Sequence, residues 1–154
     1  MRTFDWLLRL GLAGVFMGAA FTKIADPASF HAAILTYRAV PESLVPALAL
    51  WLPWVELCTG VALLWPRHRR ASLWLVLAMT LVFLGAIGQA AWRELDIVCG
   101  CFGRPATIRG AGYLKYVVRD LALLAAAVWL LRREHASRVA GATGKPWQRA
   151  SEQD

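Results

Sequence analysis

Four long apolar runs separated by short polar breaks dominate the chain: residues 4–24, 44–65, 71–92 and 113–131. An α-helix rises about 1.5 Å per residue, so about 20 apolar residues cross a hydrocarbon core about 30 Å thick. All four runs approach or exceed that length. A soluble helical bundle would set a charged face on each helix, yet residues 71–92 carry no charge at all. The pattern therefore predicts an all-α integral membrane protein with four transmembrane helices.

The breaks between the runs carry their own signals. Asp26-Pro27 is a helix N-cap followed by proline at the first helical position, a good start. Phe30, Ile34 and Tyr37 then recur at helical spacing, which predicts a short amphipathic helix over Pro27–Tyr37. It is too short to cross and belongs in the outer interface. Pro53 interrupts the second run, and neighbouring helices must satisfy the carbonyl it frees. From Glu134 the chain turns polar, so residues 1–133 are expected to form the membrane domain and residues 134–154 a disordered cytoplasmic tail. The first run contains Gly18-Ala19-Ala20, small residues of the kind found at a signal-peptide cleavage site. It exceeds a normal signal-peptide core and no polar mature start follows, so the span reading is kept.

Charge orients the bundle. Arg2, the linker Arg67-His68-Arg69-Arg70, and the tail residues Arg132, Arg133, Arg138, Lys145 and Arg149 share one side if there are four spans. On the other side Lys23, Arg38, Arg93, Arg104 and Arg109 are balanced by Asp26, Glu42, Glu94 and Asp96. The positive-inside rule puts both termini in the cytoplasm of a bacterial inner membrane, with Trp6, Trp65, Trp74 and Trp129 in the inner aromatic belt. The composition agrees: 58% hydrophobic residues, eight tryptophans and a net charge of +7 in 154 residues. That basic balance, lying largely on the inner flanks, suits the lipid bilayer and its anionic headgroups. No nucleic-acid motif accompanies it.

The chemistry concentrates in "DIVCGCFGRP", in the outward loop before the last run. Cys99 and Cys101 can close a disulfide only if the chain turns sharply between them, and Gly100 and Gly103 supply the backbone freedom. So small a ring would be strained, and strained, exposed disulfides are the labile, oxidising ones. Arg93, Arg104, Arg109 and Lys115 lie close in sequence and would favour a thiolate. Two other readings stay open: a static structural bridge, and a soft-metal site for cuprous copper with His31 as a third ligand. Cys58 lies inside the second run and reads as a buried small hydrophobe. No phosphate loop, nucleophile elbow or His-Glu-x-x-His is present, which excludes nucleotide, hydrolase and zinc-peptidase classes and leaves no cofactor motif.

Four further charges lie within or near the runs. Glu56 is about 18 Å along its helix, near mid-membrane, where a carboxylate must be protonated or paired. Lys23, near the outer end of the first run, and Arg119, about 9 Å along the fourth, are both candidate partners. Helical side chains lean towards their own N-terminus, which narrows the depth between Lys23 and Glu56. Asp120 can neutralise Arg119 locally.

Together these stretches resemble a known family. "FTKIADPASFHAAILTYRAVP", "LPWVELCTGVALL", "CGCFG" and "YVVRDLALL" occur in the order seen in the MauE branch of the MauE/DoxX membrane proteins, from about Leu10 to Leu131. The residues that carry the resemblance are Lys23, Asp26, Pro27, Pro53, Glu56, Cys99, Cys101, Phe102, Gly103, Arg119 and Asp120. It implies a four-transmembrane-helix bundle distantly like the vitamin K epoxide reductase fold, and a redox-associated role outside the cytoplasm. Members of the branch are associated with methylamine utilisation, where they support maturation of a disulfide-rich periplasmic dehydrogenase beside a thioredoxin-like protein. The epoxide reductases use a membrane Cys-x-x-Cys pair next to a quinone. This chain has no such pair, so direct quinone reduction is not implied.

Three functions follow as expectations. Cys99 and Cys101 exchange thiols with a periplasmic thioredoxin-like protein that docks on Pro27–Tyr37. Alternatively they form a static bridge in a non-catalytic assembly factor, or the chain is a small copper-binding or transport protein that uses Glu56.

Overall fold

The computed structural model describes residues 2–99, 106–108 and 112–142, with residues 2, 99, 106–108 and 138–142 as backbone only. The first apolar run folds as α1 (Arg2–Ala25). Asp26 then caps α2 (Pro27–Tyr37), accepting from the Ser29 hydroxyl at 2.6 Å and the Ser29 amide at 3.0 Å. Those two bonds hold the Asp26 carboxyl below its ordinary pKa. Arg38, in the left-handed conformation at φ 47°, ends α2 and returns its amide to the Leu35 carbonyl. The predicted boundaries of this short helix are thus the observed ones.

A 3-10 turn (Glu42–Leu44) leads into α3 (Val45–Leu64), and α4 (Arg69–Trp92) follows. Pro53 is buried inside α3, and the helix continues past it. Buried hydroxyls bond back along their own helices, Thr59 to the Val55 carbonyl and Thr80 to the Val76 carbonyl, each at 2.7 Å. This keeps the hydroxyls satisfied within their own helices.

After α4 comes a feature not predicted from the sequence. Strands β1 (Ile97–Cys99) and β2 (Ala106–Ile108) pair antiparallel, with Ile97 opposite Ile108 and Cys99 opposite Ala106. Ile97 is fully buried, packed with Ala90 against Tyr37, Leu95, Tyr113 and Tyr116.

The last helix, α5 (Gly112–Ala142), runs past Glu134, where the sequence predicts the tail to begin. Glu134 bonds Arg9 at 3.2 Å and Arg133 lies 3.9 Å from Asp5, so the end of α5 is tied to the start of α1. Residues 143–154 lie outside the described residues.

The four long helices close a ring: α1 packs on α3, α3 on α4, α4 on α5, and α5 returns to α1. Leu12, Phe16, Leu63, Leu73, Val76 and Leu130 fill the middle. The outer face is apolar, with Val82 71% and Trp92 89% exposed, while Lys23, Glu56 and Asp120 are buried. Greasy outside and charged inside is the arrangement a bilayer requires and water does not. Thr3–Ala25, Glu42–Leu64 and Arg69–Trp92 are each long and apolar enough to cross a membrane. The corresponding part of α5 carries Lys115, Arg119 and Asp120, and length and composition alone do not qualify it.

The tightest seam lies between α1 and α3. A Cβ on Gly60 would fall 2.8 Å from Met17 Cγ and 3.2 Å from the Ala13 carbonyl oxygen. The Met17 side chain can move aside, but the backbone oxygen cannot. Gly60→Ala is expected to destabilise the protein by about 1–3 kcal/mol, the usual range for overpacking. Gly85, with nothing within 4 Å of its Cβ position, provides the control. Gly85→Ala should be neutral or stabilise by up to about 1 kcal/mol, read by unfolding in detergent.

Candidate functional site

Two ion pairs lie inside the ring, toward the end that carries α2. Lys23 near the end of α1 donates to Glu56 Oε1 on α3 at 2.5 Å, and both side chains are only 2% exposed. Of the two candidate cations for Glu56, Lys23 is the partner. Two rings add to this, since Lys23 Nζ lies 4.8 Å from the Phe30 ring centroid and 5.0 Å from that of Phe83. An ammonium facing a carboxylate and two aromatic rings keeps its charge away from water.

Arg119 pairs with its neighbour, as the sequence suggested. Its Nε and Nη2 lie 2.9 Å and 2.8 Å from Asp120 Oδ1. The guanidinium also lies over the Tyr116 ring, 5.4 Å from the centroid. Glu56 Oε2 and Asp120 Oδ2 are buried without a hydrogen-bond partner among the described residues.

Cavities lie against this cluster. One of about 40 Å³ is lined by Phe16, Ala19, Lys23, Glu56, Thr80, Phe83, Arg119 and Asp120, among others. A second, of about 180 Å³, is bordered by α2 residues Phe30, Ala33, Ile34 and Tyr37 together with Leu48, Leu52 and Ile87. Lys23, Phe83 and Arg119 border both.

The predicted thiol pair stands apart from this cluster in sequence. Cys99 is the last residue of β1, described as backbone, while Gly100, Cys101, Phe102 and Gly103 lie outside the described residues. The strand before the pair is firmly anchored: the Val98 amide donates to Thr36 Oγ1 on α2 at 3.2 Å, and the Tyr113 hydroxyl donates to the Leu95 carbonyl. The hairpin therefore rests on α2 and the start of α5. Among the described residues no three His, Cys, Asp or Glu side chains converge on a metal position, and the thiols of the copper reading fall outside that set. Cys58, expected to be buried in protein, is instead exposed on the outward face of α3. Its helix turns that side away from the bundle, together with the exposed Trp54, Val61 and Trp65.

Thr80, Phe30 and Phe83 were missed as members of the site. Phe83 sits in a run with no polar neighbour to set it apart, so nothing in the pattern distinguishes a ring that covers a cation from an ordinary core residue.

The pair makes a direct prediction. Glu56→Gln leaves the Lys23 ammonium buried and uncompensated, and should cost about 3–5 kcal/mol in detergent unfolding. Adding Lys23→Met should recover most of that loss, and adding Arg119→Met should recover none. Recovery with Arg119→Met instead would mean that Glu56 depends on the wrong cation.

Comparison with known proteins adds a family to this geometry. The family description "Methylamine utilisation protein MauE" matches residues 1–133. The methylamine utilization protein MauE of Paracoccus denitrificans is 31% identical over 142 residues, 90% of this chain and 76% of the relative. That of Methylophilus methylotrophus is 32% identical over 122 residues, 79% of this chain and 64% of the relative. That of Paracoccus versutus is 32% identical over 98 residues, 63% of this chain and 53% of the relative. The matched region thus spans between about half and three quarters of these relatives' length. No solved structure matches the chain. With a family match across 1–133 and three helices able to cross a membrane, the chain is a multi-pass membrane protein that belongs to the MauE family.

Proposed function

We propose that this chain is an accessory membrane protein of methylamine utilisation, and that Cys99 and Cys101 exchange thiols and disulfides with a periplasmic thioredoxin-like protein. The pathway role is supported by the relatives, which are methylamine utilization proteins. The exchange reading is supported by a position: β1 ends at Cys99, at the α2 end of the bundle and opposite the basic flanks Arg67–Arg70 and Arg132–Arg133. In a four-span bacterial inner-membrane arrangement with α5 as the last span, the positive-inside rule sends that end to the periplasm, where disulfides persist. The α2 surface beside the hairpin is then the docking ledge.

The exchange balances within the two proteins. The thiolate of one cysteine attacks the partner's disulfide, forms a mixed disulfide and releases a partner thiolate. The second cysteine attacks the mixed bond, which leaves a Cys99–Cys101 disulfide here and a dithiol on the partner. Run in reverse, the same steps hand the disulfide to the partner for delivery to its substrate.

Single substitutions test this. Cys99→Ser and Cys101→Ser each remove one thiol, and the variant that retains the attacking cysteine should trap the partner as a mixed disulfide. The adduct should appear as a larger band on a non-reducing gel, collapse with reductant, and be far weaker in the other variant. A static bridge predicts no adduct from either variant and a disulfide potential below roughly −300 mV. That result would leave an assembly factor in place of an exchanger.

A further inference from the structure

We propose that the smaller cavity between the ion pairs is a binding site for water, and that this water joins the two pairs into one network across α3 and α5. The inference is independent of the exchange reading. Each buried carboxylate uses one oxygen on its cation: Glu56 Oε1 on Lys23 and Asp120 Oδ1 on Arg119. Each has its second oxygen buried without a donor among the described residues. Both residues line the same cavity of about 40 Å³. A buried water needs roughly 10–15 Å³ of such space and two to four polar partners, so this cavity has room for at least one.

The chemistry of the wall selects the ligand. Two carboxylate acceptors lack donors, and a water molecule carries two O–H donors. The Arg119 guanidinium lines the same cavity and can donate to the water oxygen. An ammonium or metal cation is disfavoured because Lys23 and Arg119 already balance Glu56 and Asp120, so a further positive charge would be left uncompensated in a low-dielectric interior. A purely apolar occupant would leave both acceptors unpaired. A small neutral donor answers both constraints. The result is a hydrogen-bonded chain running Lys23, Glu56, water, Asp120, Arg119, which spans the middle of the ring from α1 to α5.

X-ray radiolysis of the full chain in lipid nanodiscs, in water enriched in heavy oxygen, tests this. Radicals formed at a buried water oxidise the side chains beside it. Phe16 lines the cavity and is only 6% exposed, while Leu12 and Leu130, at 2% and 0%, are core residues that do not line it. After correction for intrinsic reactivity, Phe16 should be labelled severalfold more than either leucine. Ala19→Val fills cavity space, and should lower both the Phe16 labelling and the Tm. Labelling of Phe16 no greater than that of Leu12 and Leu130, or a raised Tm in Ala19→Val, would mean a dry cavity and overturn the proposal. Ammonium or methylammonium chloride should leave the Tm where sodium chloride at equal ionic strength leaves it. A rise specific to either cation would assign the site to a cation and equally overturn it.

Discussion

A carboxylate cannot be buried in an apolar bundle unless its charge is answered, and the bond between Lys23 and Glu56 is the answer here. Its consequences run through the fold. The two groups come from different helices, so their contact sets the depth of α1 against α3. A slip of one helix by a single turn, about 5.4 Å, would leave two buried charges apart. The same seam holds Gly60, whose missing side chain lets the backbones approach. A buried pair of this kind need not add stability compared with an apolar replacement, because desolvation consumes much of the attraction. What it adds is a penalty for every wrong arrangement, which is how a greasy bundle comes to specify one packing.

The second set of contacts closes the opposite end. Arg9 with Glu134 and Asp5 with Arg133 tie α1 to α5, and Arg69 lies over Trp6, 5.7 Å from its ring centroid, adding the start of α4. Their side chains are more exposed than those of Lys23 and Glu56, so solvent screens them more and each contributes less. Between the two layers of charge the interior is apolar. The end bearing α2 and the two strands is therefore carried on helices tied to one another at both levels.

Much of this was legible in the sequence for a plain reason: a bilayer imposes long apolar runs, and the breaks between them carry caps and prolines. Asp26-Pro27 marked the start of α2 because the N-cap and the first helical position have local chemistry that does not depend on the fold. The charges Lys23, Glu56, Arg119 and Asp120 stood out for their cost in the membrane. Their pairing did not, since both Lys23 and Arg119 could reach Glu56 by depth alone, and rotation about the helix axes decides between them. The β1–β2 hairpin escaped notice because each strand is three residues long, too short for an alternating pattern to declare itself. Likewise the polar composition after Glu134 suggested an unstructured tail, whereas α5 runs on to Ala142 and Glu134 bonds Arg9 on another helix.

Lys23 and Glu56 touch directly inside the bundle. Solid-state NMR on the full chain in lipid bilayers, with isotope-labelled lysine and glutamate, measures this through the dipolar coupling between the Lys23 ammonium nitrogen and the Glu56 carboxyl carbon. A strong coupling is expected of groups whose nitrogen and oxygen are 2.5 Å apart, and it should disappear in Glu56→Gln. An ammonium signal with no coupling to Glu56, in exchange with bulk water, would contradict the contact.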